Sequence, residues 1–274
     1  MPAPPLAGRT MVISGGSRGI GLAIALAAGA QGANVVVLAK TAEPHPKLPG
    51  TVHTAVAEIE AAGGKAVAVV GDVRREEDTA RAAATAVEHF GGIDICVNNA
   101  SAITTEPTGT LPLKRFDLMQ EINVRGTFLL TQACLPRLRD SDRAHVLTIS
   151  PPLNLSPRWL GAHPAYTQSK YAMTLLSLGW ATEFAEDEIG VNCLWPQTYI
   201  ATSAVANMKD GDDLLSRARD PRVMGDAAAE ILSRPAKYTT GNCYIDAEVL
   251  IESGVRDLSK YGGGDRPIPD LFLD

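Results

Sequence analysis

Short apolar runs alternate with longer Ala-rich or amphipathic stretches along most of this chain. The apolar runs are rich in Val, Ile and Leu and are bounded by Gly, Asn, Asp or Ser, a pattern typical of buried strands. Seven such runs are predicted as strands, at residues 10–14, 34–39, 65–70, 93–97, 145–150, 191–195 and 242–246. The stretches between them are predicted as helices, at residues 19–31, 51–62, 76–90, 113–138, 165–187 and 222–233.

Strands that alternate with helices form βαβ units, which give a mostly parallel sheet with helices on both faces. One unbroken alternation predicts a single doubly wound, Rossmann-type α/β domain over residues 1–274, with a seven-stranded sheet. Long polar connections are predicted at 40–50 and 197–220, and an irregular tail is predicted from about residue 254.

The composition excludes several classes of protein. The net charge of −6, with 5% aromatic residues and no basic stripe, argues against a nucleic-acid partner. Residues 1–5 lack the basic and apolar pattern of a signal peptide, and no apolar run is long enough to span a membrane. We therefore expect a cytoplasmic protein with no membrane partner.

The four cysteines are widely spaced, with no C-x-x-C motif and no His/Cys cluster. This spacing predicts buried free thiols in a reducing compartment and no metal site. The cysteines are Cys96, Cys134, Cys193 and Cys243.

A glycine-rich loop follows the first predicted strand and opens a helix. Its spacing, G-x-x-x-G-x-G, is a variant of the dinucleotide fingerprint, in which backbone amides at a helix N-terminus face a pyrophosphate. A simple helix-entry turn is the alternative. The predicted dinucleotide contacts in this loop are Gly15, Ser17, Arg18, Gly19, Ile20 and Gly21.

The second predicted strand ends at Lys40, where a site that prefers NAD usually carries an acidic residue for the ribose hydroxyl. Lys40 and Arg18 together favour a ribose 2′-phosphate. NADP(H) is therefore the preferred cofactor and NAD(H) the alternative. A solvated lysine at a strand end is the alternative for Lys40.

Polar residues follow the third and fourth predicted strands. Asp72, before Val73, is placed to accept hydrogen bonds from an adenine, to cap the next helix or to hold a turn. Asn98 and Asn99, before Ala100, are placed to bridge strands and line the cofactor cleft, or to form an Asx turn. Asp72, Val73, Asn99 and Ala100 are predicted to contact the cofactor.

Tyr166 and Lys170 are four residues apart in a predicted helix, so their side chains lie on one face. An ammonium close to a phenol favours the phenolate and lowers the tyrosine pKa from its usual value of about 10. Such a tyrosine can exchange a proton with an alcohol or carbonyl near neutral pH. A solvated helix face is the alternative for this pair.

In their order along the chain, these motifs resemble the short-chain dehydrogenase/reductase family, and further stretches resemble its hydroxysteroid dehydrogenase-like subgroup. The family resemblance rests on residues 15–21, Asp72, residues 98–100, Asn123 and the pair Tyr166 and Lys170. The subgroup resemblance rests on residues 40–47, 98–102, 149–155 and 194–196. The resemblance implies a nicotinamide cofactor and hydride transfer between a carbonyl and a secondary alcohol.

The resemblance also implies roles for individual residues. Tyr166 would be the proton donor, Lys170 would lower its pKa and bind the nicotinamide ribose, and Asn123 would hold a relay water. The family serine that orients the substrate oxygen is displaced, because its expected positions hold Leu153 or Pro151. We assign Ser150 to this role, with Asn154 and Ser156 as alternates.

Residues after the sixth predicted strand are expected to meet the nicotinamide. The family commonly has Pro-Gly there, whereas this chain has Pro196-Gln197, and Thr198 follows. Pro196 and Thr198 are predicted to contact the cofactor. Four nearby residues are placed to line an apolar substrate cleft or to belong to the core: Trp159, Leu160, Trp195 and Tyr199. His163 is expected in a solvated loop.

The leading hypothesis is an NADP(H)-dependent oxidoreductase that acts on a small-molecule carbonyl or secondary alcohol, lipid-like or acyl in character. An NADP-binding regulatory or scaffolding protein with little or no turnover is the alternative, favoured only by the displaced serine. The resemblance also implies a homodimer or homotetramer that packs through the long helices at 113–138 and 165–187.

Overall fold

The computed structural model describes residues 5–46, 48–208 and 210–274. Two sequence predictions extend beyond these residues. The N-terminal stretch includes residues 1–4, which lie outside the described residues. The subgroup motif at 40–47 ends at Lys47, which also lies outside them.

The seven strands form one sheet in the order β3-β2-β1-β4-β5-β6-β7, and every neighbouring pair is parallel. The predicted doubly wound fold is therefore confirmed. The chain reverses direction across the sheet between β1 and β4, where a crevice opens at the strands' carboxyl ends. The strands are β1 Thr10–Ser14, β2 Asn34–Ala39, β3 Lys65–Val70, β4 Ile95–Asn98, β5 His145–Ile149, β6 Gly190–Trp195 and β7 Cys243–Ile245.

Helices cover both faces of the sheet. They are α1 Gly19–Ala30, α2 Val52–Ala61, α3 Glu76–Phe90, α4 Leu113–Met119, α5 Thr127–Leu138, α6 Pro157–Ala162, α7 Pro164–Glu183, α8 Ser203–Ala206, α9 Gly211–Ser216, α10 Arg222–Ser233 and α11 Asp246–Glu252. Single 3-10 turns occur at Ala236–Tyr238 and Ser259–Tyr261.

Alternate residues of the central strands pack into two cores. Met11 and Ile13 of β1 face the core that contains α1, α2, α10 and α11, whereas Val12 faces the core of α3, α5 and α7. The strands β1, β4, β5 and β6 are buried on both faces, as a parallel sheet between helices requires, whereas the edge strands β3 and β7 are partly exposed. This explains why the strands appear in the sequence as continuous apolar runs.

The long helix predicted at 113–138 is not continuous. A π-helical turn, Gln120–Gly126, separates α4 from α5. Asn123 lies in this wide turn, fully buried, and bonds the backbone of Ala102 through both ends of its amide, at 2.7 and 2.9 Å. The apolar period alone does not distinguish a π turn from an α turn, and such turns are frequent at functional sites.

Other element boundaries differ by a few residues, as is usual at frayed ends. Strand β5 ends at Ile149, so Ser150 follows the strand, and α7 ends at Glu183 instead of 187. After α11 the tail is mostly irregular, as predicted. Among the described residues, no helix is both long and apolar enough to cross a membrane.

Candidate active site

Eleven of the fifteen predicted cofactor residues meet in one cleft of about 460 Å³ at the carboxyl ends of β1, β2 and β4. The glycine loop contributes Gly15, Ser17, Arg18, Gly19, Ile20 and Gly21 to its lining. The neighbouring strand ends contribute Lys40, Asp72, Val73, Asn99 and Ala100. The cleft thus lies at the reversal point of the sheet, beside the N-terminus of α1.

Two glycines keep the loop closed against the end of β4. Gly15 has a φ of +68°, and a Cβ there would lie 2.9 Å from Asn99 Nδ2. A Cβ on Gly21 would lie 2.4 Å from the same nitrogen and 2.5 Å from the Gly15 carbonyl oxygen. The Asn99 amide donates to the carbonyls of Ser14 and Gly15, at 3.0 and 3.1 Å. Asn99 therefore bridges β4 to β1, one of the two arrangements expected for it.

A charged network borders the cleft beyond β3. Arg74 donates to both carboxylate oxygens of Asp72 at 2.7–3.1 Å and to Glu121 at 2.9 Å. Lys40 Nζ lies 3.9 Å from Asp72 Oδ2, and the Lys40 side chain is 58% exposed. Burial alone would raise the pKa of Asp72, but the Arg74 hydrogen bonds and the Lys40 charge lower it below its usual value.

Asp72 holds a local turn, because its carboxylate accepts the Arg74 backbone N–H at 3.1 Å. It does not cap α3, whose N-cap residue is Arg75. Arg74 was missed in the sequence, although it lies two residues beyond Asp72 and adds a cation beside Lys40. Arg18 lines the cleft while its Nη2 donates to the Gly50 carbonyl at 3.0 Å.

A second cavity of about 160 Å³ adjoins the cleft and shares Ile20, Asn99 and Thr202 with it. Its lining includes Tyr166, Lys170, Trp195, Pro196, Tyr199 and Asp270. The structure thus brings Tyr166, Lys170 and Pro196 together beside the predicted dinucleotide site. We call this second cavity the catalytic cavity.

Lys170 extends from α7 to the end of β5. Its Nζ donates to the Ile149 carbonyl at 2.5 Å and lies 5.1 Å from the centroid of the Trp195 ring. The side chain is almost completely buried, and this burial lowers the pKa of Lys170 to about 7.

The pKa of Tyr166 departs from the expectation that Lys170 would lower it. Burial, followed by the charges of Asp270 and Tyr199, raises the pKa of Tyr166 above its usual value. The phenol is only 5% exposed, so the cost of desolvating a phenolate exceeds any attraction to the ammonium. In this structure Tyr166 therefore holds its proton at neutral pH.

Asn123 braces the two walls of the catalytic cavity. Besides its bonds to Ala102, its Nδ2 donates to Ser169 Oγ at 2.9 Å, and Ser169 Oγ donates to the Tyr166 carbonyl at 2.8 Å. Asn123 therefore fixes the turn of α7 that carries Tyr166 and Lys170. The relay role that the resemblance implies for Asn123 stays a prediction.

The candidates for the substrate-orienting residue lie elsewhere. Ser150 is 1% exposed and, within the described part of the chain, it is not among the residues that line the catalytic cavity. The Asn154 amide donates to Phe272 O at 3.1 Å and to Asp274 Oδ2 at 2.8 Å, and its Oδ1 accepts from Ser156 N at 3.1 Å. Asn154 therefore holds the C-terminal residues in place, whereas Ser150 Oγ and Ser156 Oγ are buried and make no hydrogen bond among the described residues.

Three further expectations have mixed outcomes. Thr198 is buried and forms a β-bridge with Pro269, so its side chain does not line the catalytic cavity. Trp195 and Tyr199 line the cavity, whereas Trp159 belongs to the aromatic core behind it and Leu160 is 42% exposed. His163 is half-buried between α6 and α7, with its Nδ1 3.0 Å from the Thr105 carbonyl.

The sequence reasoning missed the C-terminal segment, residues 265–274, which forms one wall of the catalytic cavity. Its Phe272 is 2% exposed and lies 5.3–6.2 Å, centroid to centroid, from four aromatic rings. These rings belong to Trp159, Tyr166, Tyr171 and Trp195. The apolar trio at 271–273 was the only sequence signal for this packing.

Comparisons with known proteins agree with this architecture. The short chain dehydrogenase family profile matches residues 9–213. Hydroxysteroid dehydrogenase-like protein 2 of Xenopus tropicalis is 52% identical over 98% of this chain, which spans 64% of that relative's length. The chain therefore belongs to the short-chain dehydrogenase/reductase family and resembles its hydroxysteroid dehydrogenase-like subgroup.

Solved structures show the same fold. A short chain dehydrogenase from Mycobacterium thermoresistibile superposes with a TM-score of 0.92 at 53% identity, over 98% of this chain and 96% of that one. A metagenomic short-chain oxidoreductase in complex with NADP superposes with a TM-score of 0.71 at 27% identity, over 88% and 97% of the two chains.

Proposed function

We propose that this protein is an NADP(H)-dependent oxidoreductase that transfers hydride between the nicotinamide and a carbonyl or secondary alcohol. The observation that carries the proposal is the placement of Tyr166 and Lys170 in a small cavity beside a glycine-lined cleft. A proton donor and a dinucleotide cradle that adjoin in this way are what carbonyl reduction requires.

The cleft fits a dinucleotide on its own geometry. Any side chain at Gly15 or Gly21 would collide with the end of β4 or the loop backbone, so the loop remains open to a pyrophosphate at the start of α1. Lys40 and Arg18 line the cleft and Arg74 borders it through Asp72, and we expect their charges to suit the 2′-phosphate of the ribose. Asp72 and Val73 would hold the adenine, and Asn99 and Ala100 the central part of the cofactor.

The chemistry divides between the cofactor and the chain. A bound nicotinamide supplies or accepts the hydride. Tyr166, which burial keeps protonated at neutral pH, donates its proton to the carbonyl oxygen. Lys170 would hold the nicotinamide ribose, and its ammonium would stabilise the phenolate that remains after the proton has left.

The lining of the catalytic cavity favours an apolar substrate of modest size. Ile103, Trp195, Ile200 and Leu271 supply apolar surface, and the cavity volume is about 160 Å³. A lipid-like or acyl carbonyl compound would place its reacting carbon here and extend the rest of the molecule toward solvent.

Cofactor preference is tested by titration. We expect tighter binding of NADPH than of NADH, and we expect Lys40→Asp to reduce or invert the difference, because a carboxylate repels the 2′-phosphate and accepts a ribose hydroxyl. Lys65→Asp is the matched control, since Lys65 lies at the start of β3, away from the cleft. Equal affinities in the parent protein would remove the role of Lys40.

An NADP-binding regulatory protein is the second candidate. Its support is the position of Ser150 outside the cavity lining, which leaves the family's orienting group missing. Tight NADPH binding without turnover of any carbonyl in a broad panel would favour this candidate. Turnover that is lost in Tyr166→Phe would exclude it.

We further propose a homodimer or homotetramer in the cytoplasm. Phe128 on α5 and Leu175 on α7 are 42% and 58% exposed, which suits helix packing between copies. The four free cysteines suit a reducing compartment. A monomer in sedimentation at micromolar concentration would refute the assembly, and cell fractionation tests the location.

A further inference from the structure

Asp270 is a nearly buried carboxyl group in the wall of the catalytic cavity. It is 8% exposed and comes from the C-terminal segment, outside the residues to which the resemblance gives a role. Its Oδ1 accepts the Leu271 backbone N–H at 2.6 Å. Among the described residues, no hydrogen bond reaches its Oδ2, which leaves a polar atom for a ligand in the cavity.

The chain holds this carboxyl group firmly in place. The Asp270 backbone N–H donates to the Gln197 carbonyl at 3.0 Å, and Trp195 Nε1 donates to the Leu271 carbonyl at 3.0 Å. Two residues further, Phe272 stacks on the Tyr166 ring at 6.2 Å. The same short segment thus fixes both Asp270 and the surroundings of the proton donor.

The other polar groups of the cavity are less suited to orient a substrate. Ser101 is exposed at the rim, and the Asn99 amide is engaged by the glycine loop. Ser150 does not line the cavity. Of the described residues, Asp270 therefore best combines burial, an available oxygen and a rigid anchor.

The environment of Asp270 favours its neutral form. Burial raises the pKa of Asp270 to about 7, the Asp246 charge adds to the rise, and the Leu271 N–H and the Lys170 charge oppose it. The titratable or charged groups that face it are Tyr166 and Lys170 from α7, Tyr199 after β6, and Asp246 at the start of α11. A carboxylic acid kept neutral in an apolar site can donate a hydrogen bond, which a carboxylate cannot.

We propose that Asp270, as a neutral carboxyl, donates a hydrogen bond to the substrate's carbonyl oxygen and so orients it toward Tyr166. The inference rests on the proposed function and assigns Asp270 the part that a serine plays in the resemblance. Asp270 keeps its own proton. The proton that the product oxygen gains comes from Tyr166, and the hydride comes from the cofactor.

A ligand pair of one shape tests the proposal. Cyclohexanone can only accept a hydrogen bond, whereas cyclohexanol can also donate one. Each is measured in an unreactive complex, cyclohexanone with NADP⁺ and cyclohexanol with NADPH, by ligand-observed NMR at pH 6 and pH 9. We expect the wild-type protein to lose affinity for cyclohexanone about tenfold at the higher pH and to keep its affinity for cyclohexanol.

Asp270→Asn separates this effect from other titrations. The amide is nearly isosteric and donates at every pH, so the variant should bind cyclohexanone with little pH dependence. Lys170, whose pKa is also about 7, is still present in this variant, and loss of the Asp270 charge lowers its pKa, so a pH dependence caused by Lys170 would persist at a lower pH. Asp270→Ala should bind the ketone weakly at both pH values. A pH dependence equal in wild type and Asp270→Asn would overturn the proposal.

A measurement on the wild-type protein without substrate tests the protonation of Asp270 even if the variants fold poorly. Carbon-13 NMR of aspartate-labelled wild-type protein, with the signal assigned by Asp270→Glu, should show the carboxyl titrating near pH 7. A carboxyl ionised throughout pH 5–9 would overturn the proposal. If ketones are reduced yet Asp270→Ala binds and reduces them as well as the wild type does, only this inference fails. If no carbonyl is reduced at all, the proposed function fails. The carbon-13 titration and the ketone-binding experiment still test whether Asp270 donates a hydrogen bond to a ketone.

Discussion

Removing the Phe272 ring should destabilise the domain and disable the catalytic cavity together. Phe272 is the anchor of the C-terminal segment and is 2% exposed among four aromatic rings. Phe272→Ala leaves a cavity beside Tyr166, and it releases the segment that carries Asp270. The structure therefore links the stability of the tail to turnover.

The size of the effect follows from burial. Truncating a fully buried Phe to Ala typically costs about 3–5 kcal/mol, because the transfer free energy is lost and a cavity remains. For a chain of this length, each kcal/mol lowers Tm by about 2 °C, so a decrease of about 6–10 °C is expected. If the segment undocks before the domain unfolds, the decrease in Tm is smaller, and the tail becomes open to proteolysis.

Differential scanning calorimetry, limited proteolysis and NADPH consumption measure the three consequences. Tyr238→Ala is the matched control, because this aromatic residue is 80% exposed, so its loss should change stability by less than about 0.5 kcal/mol. Phe272→Leu should recover most of the stability. A Phe272→Ala protein with unchanged Tm, protease resistance and activity would refute the anchoring role.

Three other changes probe separate parts of the account. Gly21→Ala should abolish NADPH binding in fluorescence titrations, because its Cβ would lie 2.5 Å from the Gly15 carbonyl, whereas Gly92→Ala, with open space around it, should bind normally. Asn123→Ala should lower the free energy of unfolding by about 2–4 kcal/mol in urea titrations, since it leaves both Ala102 backbone groups unpaired. Burial lowers the pKa of His145 from 6.5 to about 4. Between these pH values the side chain binds a proton in the unfolded chain but not in the folded chain, so the free energy of unfolding should fall by about 3 kcal/mol as the pH drops from 6.5 to 4. A flat urea midpoint over that range would contradict the assignment.

The fold was accessible from the sequence because its signals are local. Strand runs, the glycine loop and the i,i+4 pair of Tyr166 and Lys170 each lie within a few residues, and the order of strands and helices alone predicts a parallel sheet. The need for glycine at positions such as Gly15 is also local, because the backbone there has a positive φ that other residues rarely adopt.

The parts that the sequence did not reveal depend on distant contacts. Asp270 joins the catalytic cavity from about 100 residues beyond Tyr166. Its backbone bonds Gln197, and the Leu271 carbonyl next to it accepts from Trp195, and neither contact can be predicted from a periodic pattern. The π turn at Asn123 depends on the Ala102 backbone, which lies 21 residues away. The motif alone predicts a lowered pKa for Tyr166, because Lys170 lies one turn away. The structure gives a raised pKa, because burial is the dominant influence, and that burial comes from the packed C-terminal segment and not from the motif.

NADPH consumption by the wild-type protein and Tyr166→Phe, over one panel of ketones and aldehydes, tests whether Tyr166 is the proton donor of a carbonyl reductase. The variant removes one hydroxyl and keeps the ring that stacks on Phe272. We predict turnover by the wild type, a decrease of about 10²–10⁴ in the variant, and NADPH binding within twofold of normal in both. Equal rates in the two proteins, or none in either despite tight NADPH binding, would contradict this prediction.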